Sequence, residues 1–140
     1  MIGEMINDRY VVDSVIGKGS SGTVYKATRL MMGGTVAVKV IDSYLGADRA
    51  SLDRLIRELK AAEKLRHQHI ITVWESGITD EGQPYLVMDY VEGITLGDLI
   101  KREGALSPDR VLSIFKQICD ALAHAHEKGL IHRDMKPENV

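Results

Sequence analysis

Cysteine, proline and aromatic residues are all scarce in this 140-residue chain, which has one Cys, three Pro, one Trp and one Phe. A single cysteine, Cys119, cannot staple the chain to itself, so the disulfide-dense scaffolds of small secreted domains are excluded. Neither sign of charge dominates. The formal net charge is −2, and there is no basic surplus with which to hold nucleic acid. No stretch approaches the roughly 18 consecutive apolar residues of a membrane span, and no basic segment precedes an apolar one at Met1. What is present is ordinary for a folded protein: 44% apolar and 27% charged side chains, far from the composition of disordered chains. By length alone the expectation is one soluble, unsecreted domain.

The first third of the chain has the marks of strands. Tyr10 to Ile16 is rich in β-branched residues, Gly22 to Thr28 resumes that pattern after a glycine cluster, and Thr35 to Ile41 follows a Met32-Gly33-Gly34 turn. Short connections of this kind make an antiparallel meander. From Ser51 to Leu65 the period changes: Leu52, Leu55, Ile56, Leu59 and Ala62 recur at three and four residues, which predicts an amphipathic helix. Ile70 to Trp74 and Tyr85 to Asp89 then read as a strand pair joined through Asp80-Glu81-Gly82. A second helical region begins after Gly93. Within it Ser107-Pro108 is a start signal, with serine as N-cap and proline at the first helical position, and Gly129 is the matching stop. Between them Val111, Ile114, Phe115, Ile118, Cys119 and Leu122 form an apolar stripe, which puts Cys119 in a core rather than at a reactive site.

Gly17-Lys18-Gly19-Ser20-Ser21-Gly22 is a G-x-G-x-x-G run, whose spacing lets backbone N–H groups approach phosphate oxygens with no Cβ in the way. Alone it is equally a glycine-rich hairpin turn. No Lys-Ser/Thr pair follows Gly22, so it is not a Walker loop. A dinucleotide-binding fold is the sharper rival, since Asp42 falls at about the expected distance for a ribose-binding acid. That fold needs the glycines to open a helix, whereas Thr23-Val24-Tyr25-Lys26-Ala27-Thr28 is strand-like and soon reaches Gly33-Gly34.

In Val36-Ala37-Val38-Lys39-Val40, period two puts Ala37 and Lys39 on one face and the valines on the other. A flat ring could lie against Ala37 while Lys39 reaches its phosphates, although an isolated edge lysine that keeps a strand soluble has the same pattern. Glu58 lies at the margin of the helical stripe, where a partly desolvated carboxylate would seek a cation. A surface pair with Arg54 four residues earlier is the plainer reading. The most specific run is Ile131-His132-Arg133-Asp134-Met135-Lys136-Pro137-Glu138-Asn139. It offers a proton acceptor, a phosphate contact and an amide metal ligand within six positions. His67/His69 and His124/His126 are spaced by two, which does not make a helical zinc pair.

Taken in this order, these motifs resemble the N-terminal half of a bacterial-type serine/threonine protein kinase domain, with essentially all of residues 7–140 taking part. The implied fold is α+β: a kinase N-lobe of a five-stranded antiparallel sheet plus one helix, followed by the first helices of an incomplete C-lobe. The implied boundaries are a 1–9 extension, a 10–90 N-lobe and a 91–140 hinge with the start of the C-lobe. The implied cofactors are ATP and Mg²⁺, and the implied partner is a protein hydroxyl. Gly17, Lys18, Gly19, Ser20, Ser21 and Gly22 would cover the phosphates, and Val24 and Ala37 would sandwich the adenine. Met88 would be the gatekeeper, and backbone groups of Asp89 and Val91 would bond the adenine edge. Lys39 would contact the α- and β-phosphates, held by Glu58. Asp134 would accept the proton of the substrate hydroxyl, Lys136 would steady the γ-phosphoryl group, and Asn139 would hold one Mg²⁺. His132 would pack beneath the site, and Arg133 would receive a phosphorylated activation loop.

The resemblance implies a domain of roughly 250 residues, near the upper end of single-domain sizes. The Asp-Phe-Gly segment and the activation loop would lie past Val140. The expectation is therefore a chain with little activity by itself, whose helix 108–128 offers a surface for self-association. The alternative is an inactive, kinase-like module for nucleotide binding or partner docking. The implied location is cytoplasmic, with any membrane anchor elsewhere in the full-length protein.

Overall fold

The valine alternation of residues 36–40 is where the sheet is centred. The computed structural model describes residues 2–19, 22–42 and 48–140. Six antiparallel strands, β1 (Met5–Ile6), β2 (Tyr10–Gly19), β3 (Gly22–Arg29), β4 (Thr35–Val40), β5 (Val73–Ile78) and β6 (Pro84–Asp89), lie in the order β1-β2-β3-β4-β6-β5. Val36, Val38 and Val40 are buried on one face with Val12, Ala27, Tyr85 and Val87, and Ile6 and Tyr10 join the same cluster. Helix α1 (Arg49–Ala62) belongs to this unit. It is capped by Asp48, whose carboxylate accepts from the Ser51 amide at 3.0 Å and the Ser51 hydroxyl at 2.7 Å.

Two strands depart from expectation. The sheet has a sixth strand, because Met5–Ile6 pairs with Tyr10–Val11; two residues are too few to show an alternation in sequence. The turn between them uses Asn7 and Asp8, both at φ +53°, the two residue types that best tolerate left-handed backbone. β5 runs over Val73–Ile78 rather than 70–74. Gly77 lies within the strand, paired opposite Tyr85, whose ring fills the space over it.

A polar cluster joins this turn to β5 and β6. Arg9 Nη2 lies 2.7 Å from Glu75, and the hydroxyls of Tyr10 and Tyr85 each donate to the same carboxylate at 3.0 Å. Asn7 Nδ2 donates to the Tyr85 hydroxyl at 3.0 Å. Burial, then the hydrogen bond to Glu75 and its charge, push the Tyr85 phenol from 10.0 up to about 12, and Tyr10 moves the same way for the same reasons. A group that holds its proton more tightly when folded contributes stability below its unfolded pKa and loses it as pH rises through the folded one. We therefore expect this unit to lose about 2 kcal/mol of stability between pH 10 and 12. Tyr85→Phe should flatten that dependence in urea unfolding followed by circular dichroism. An equally steep loss in the variant would assign the effect to other groups.

The second unit comprises residues 65–70 and 91–140. Helix α2 (Leu96–Glu103) starts at Thr95, whose hydroxyl accepts from the Asp98 amide at 3.1 Å. Helix α3 (Pro108–Glu127) starts where Ser107-Pro108 predicts, although Ser107 makes no side-chain cap. Its stripe is only half covered: Val111, Ile114, Ile118 and Leu122 are half-buried, while Phe115 and Cys119 are exposed. Cys119 is thus not a core residue among the described residues; it lies toward the margin of the stripe, where the half-buried positions give way to solvent. None of the described helices is long and apolar enough to cross a membrane.

Candidate active site

The glycine run lies where β2 turns into β3. Gly19 stands opposite Gly22, Lys18 opposite Thr23 and Gly17 opposite Val24. Ser20 and Ser21 lie outside the described residues. A strand follows Gly22, which removes the dinucleotide-binding reading. Asp42 is instead a structural acceptor, taking hydrogen bonds from Thr23 Oγ1 at 3.3 Å and Gln83 Nε2 at 3.2 Å.

Residues directly opposite in an antiparallel ladder share a face. The register therefore sets Val24, Lys39 and Leu86 in one row and Lys26, Ala37 and Met88 in the next. One sheet face thus gathers Val24, Ala37, Lys39 and Met88, drawn from three strands. A small side chain flanked by apolar ones suits a flat base, and a lysine one row nearer the glycines suits its phosphates. These residues fit ATP.

Asp89 ends β6. Its carboxylate accepts from Trp74 Nε1 at 2.7 Å and the Thr72 amide at 3.3 Å, and its own amide donates to the Thr72 carbonyl at 3.0 Å. Any ligand contact by Asp89's backbone therefore falls to its carbonyl. Val91 is exposed in the second unit. Glu58 is exposed on α1, not partly desolvated as the helix wheel suggests, because that helix buries none of its residues fully.

The other group of predicted residues lies in one short segment of the second unit. Arg133, at φ +63°, reverses the chain, and the Asp134 amide donates to His132 Nδ1 at 3.3 Å. His132 is exposed among the described residues, not packed as expected, and its Nδ1 is this acceptor. A 3₁₀ turn, Pro137–Asn139, then brings Asn139 back to Asp134. Asn139 Nδ2 donates to the Asp134 carbonyl at 2.8 Å and to Oδ2 at 3.1 Å, and Lys136 Nζ lies 3.1 Å from the same Oδ2. The Lys136 hydrogen bond, and then that of Asn139, hold the Asp134 carboxyl below its usual range. Both donors converge on Oδ2, which leaves Oδ1 to accept from a third group. Asn139 spends its amide nitrogen on Asp134, so its carbonyl oxygen is free to be a hard ligand of the kind Mg²⁺ takes.

The segment is docked on α2. The Leu96 amide donates to the Val140 carbonyl at 2.8 Å, and Gly97 lets Glu138 approach so closely that a Cβ there would lie 3.3 Å from Glu138 Oε1.

The first unit thus offers a sheet face with one small residue and a lysine, and the second a carboxylate held ionised by a lysine and an amide. The protein kinase domain profile matches residues 10–140, and the chain belongs to the protein kinase family. It is 38% identical over 139 residues to serine/threonine-protein kinase pkn3 of Myxococcus xanthus, covering 99% of this chain and 25% of that kinase. It is 38% identical over 140 residues to serine/threonine-protein kinase PrkC of Bacillus subtilis, covering 100% and 22%. The crystal structure of the PknI kinase domain of Mycobacterium tuberculosis matches with a TM-score of 0.87 at 34% identity, over 100% of this chain and 56% of that one. The chain spans about a quarter of the length of the curated relatives it matches.

Sequence reasoning passed over Lys26 and Tyr90. The signal for Lys26 was its place two residues after Val24 on a strand, and hence on the same face.

Proposed function

We propose that this chain is the nucleotide-binding and catalytic-loop portion of a serine/threonine protein kinase that transfers the γ-phosphoryl group of ATP to a protein hydroxyl. The observation that carries this reading is the Asp134 carboxylate, kept ionised by Lys136 and tied to Asn139 within one short turn. Gly17, Lys18, Gly19, Ser20, Ser21 and Gly22 cover the phosphates. Val24, Ala37 and Met88 receive the base, with backbone contacts from Asp89 and Val91. Lys39 holds the α- and β-phosphates and is oriented by Glu58. Asp134 Oδ1 orients the substrate hydroxyl and takes its proton, Lys136 steadies the γ-phosphoryl group, and Asn139 holds one Mg²⁺. That ion, when bound, neutralises charge on the phosphate oxygens. Catalysis in this family is chiefly positioning and charge stabilisation, which is what these side chains supply.

The isolated 140-residue polypeptide spans 56% of the matched kinase-domain chain and is expected to be a poor catalyst. The test therefore uses the full-length protein. Lys39→Met, which keeps the length of the side chain and removes its charge, is expected to lower phosphoryl transfer to a generic protein substrate by about 10²-fold or more. Transfer at the parent rate would remove Lys39 from the site and with it the reading of the sheet face.

A further inference from the structure

The nucleotide face carries a contact that the roles above do not use. Lys26 stands directly opposite Ala37 across the β3/β4 ladder, and Met88 stands opposite Ala37 on its other side. Tyr90 follows the end of β6. The Lys26 ammonium sits 4.8 Å from the centroid of the Tyr90 ring. β4 lies between β3 and β6 in the sheet, so this contact reaches across β4 from the row of Ala37 to the residue just past the end of β6. A small residue there is what lets a lysine reach across. Both partners are half-buried.

Two lysines on one phosphate-binding face would compete for the same anion. The Tyr90 ring gives Lys26 a different partner, because the π face of an aromatic ring attracts a cation. Lys39 is thereby left as the lysine nearer the glycines. The methylene stem of Lys26 and the Tyr90 ring also present apolar surface beside Ala37, where a base would lie.

We propose that Lys26 and Tyr90 form a positioning strap that closes the base end of the nucleotide site and sets its affinity for ATP. The strap rests on the ATP reading given above. It acts before any chemistry, by ordering the wall against which the base packs, so its removal changes binding and not the transfer step.

The experiment is a double-mutant cycle in the full-length protein, read by calorimetric titration with ATP and by steady-state kinetics. Lys26→Met and Tyr90→Leu are each expected to weaken ATP binding by about two- to fivefold. KM for ATP should rise by the same factor at unchanged kcat, with the thermal midpoint of the ligand-free protein within experimental error. The double variant should be no weaker than either single one, since the two side chains act as a unit. Lys26→Arg and Tyr90→Trp keep a cation over a ring and should bind ATP as the parent does. Single variants with parental affinity, or a double variant whose loss is the product of the two, would overturn the strap. If instead the parent itself binds no ATP in the titration, the ATP reading falls and the strap falls with it, an outcome separable from the first because the parent is the protein that fails.

Discussion

Replacing Asp134 by asparagine in the full-length protein is expected to lower kcat for transfer to a serine or threonine hydroxyl by about 10²–10⁴-fold, with KM for ATP changed little. The substitution is nearly isosteric. An amide in that place can still meet Asn139 and Lys136 across the same distances, so the turn should hold. What it cannot do is carry a negative charge or take a proton, and those are the properties the geometry protects. In the parent, Lys136 and Asn139 hold the carboxyl below its ordinary range, so Asp134 is ionised throughout the neutral range, and a base at this position would be lost only as pH falls through that lowered pKa. The acid limb of the rate profile should accordingly lie below that of an unpartnered aspartate. Lys136→Met removes the larger of the two influences and should move that limb upward in pH. A D134N protein with kcat within tenfold of the parent would exclude Asp134 from the reaction.

Much of this site was legible in the sequence because its signals are local. Period two on Val36 to Val40 put Ala37 and Lys39 on one face, and the register adds Val24 and Met88 to it. The Asp134, Lys136 and Asn139 set could be read from spacing within a single run, and a short turn does bring the three together. Contacts between distant residues were not legible. Nothing local marks Glu75 as the acceptor for Arg9, Tyr10 and Tyr85, because those bonds form only when β2, β5 and β6 come together. The carboxylate of Asp89 is a similar case. The sequence marks it as a strand end with a backbone role and gives its side chain none, yet that carboxylate ties β6 to Trp74 and Thr72 through their N–H groups. The environment of Glu58 was misread for a related reason. A helix wheel shows which residues share a face but not how much of that face is covered, and α1 is covered only in part.

The glycine run shows how one motif mixes two demands, and substitutions separate them. Gly22→Ala is expected to destabilise the 140-residue chain by at least about 3 kcal/mol, a large share of an ordinary domain's roughly 5–15 kcal/mol. Gly22 has φ +141°, where an L side chain is strained, and a Cβ on it would lie 2.0 Å from the Val40 carbonyl oxygen and 3.0 Å from Ile41 Cα. Those are backbone atoms, so no rotamer change relieves the clash. Relief requires β3 and β4 to part at Thr23 and Val40, next to the buried end of the core. Gly19, its partner across the hairpin, has nothing among the described residues within 4 Å of the same position. Gly19→Ala should therefore change stability by less than about 1 kcal/mol. If close approach of phosphate is what Gly19 serves, this variant should keep its urea midpoint in the 140-residue chain while the full-length protein binds ATP more weakly. The two variants thus separate what the sheet demands of Gly22 from what a ligand would demand of Gly19. Urea unfolding of both variants by circular dichroism decides the point: a Gly22→Ala chain that unfolds at the parental midpoint would show that the hairpin is free to rearrange around a side chain.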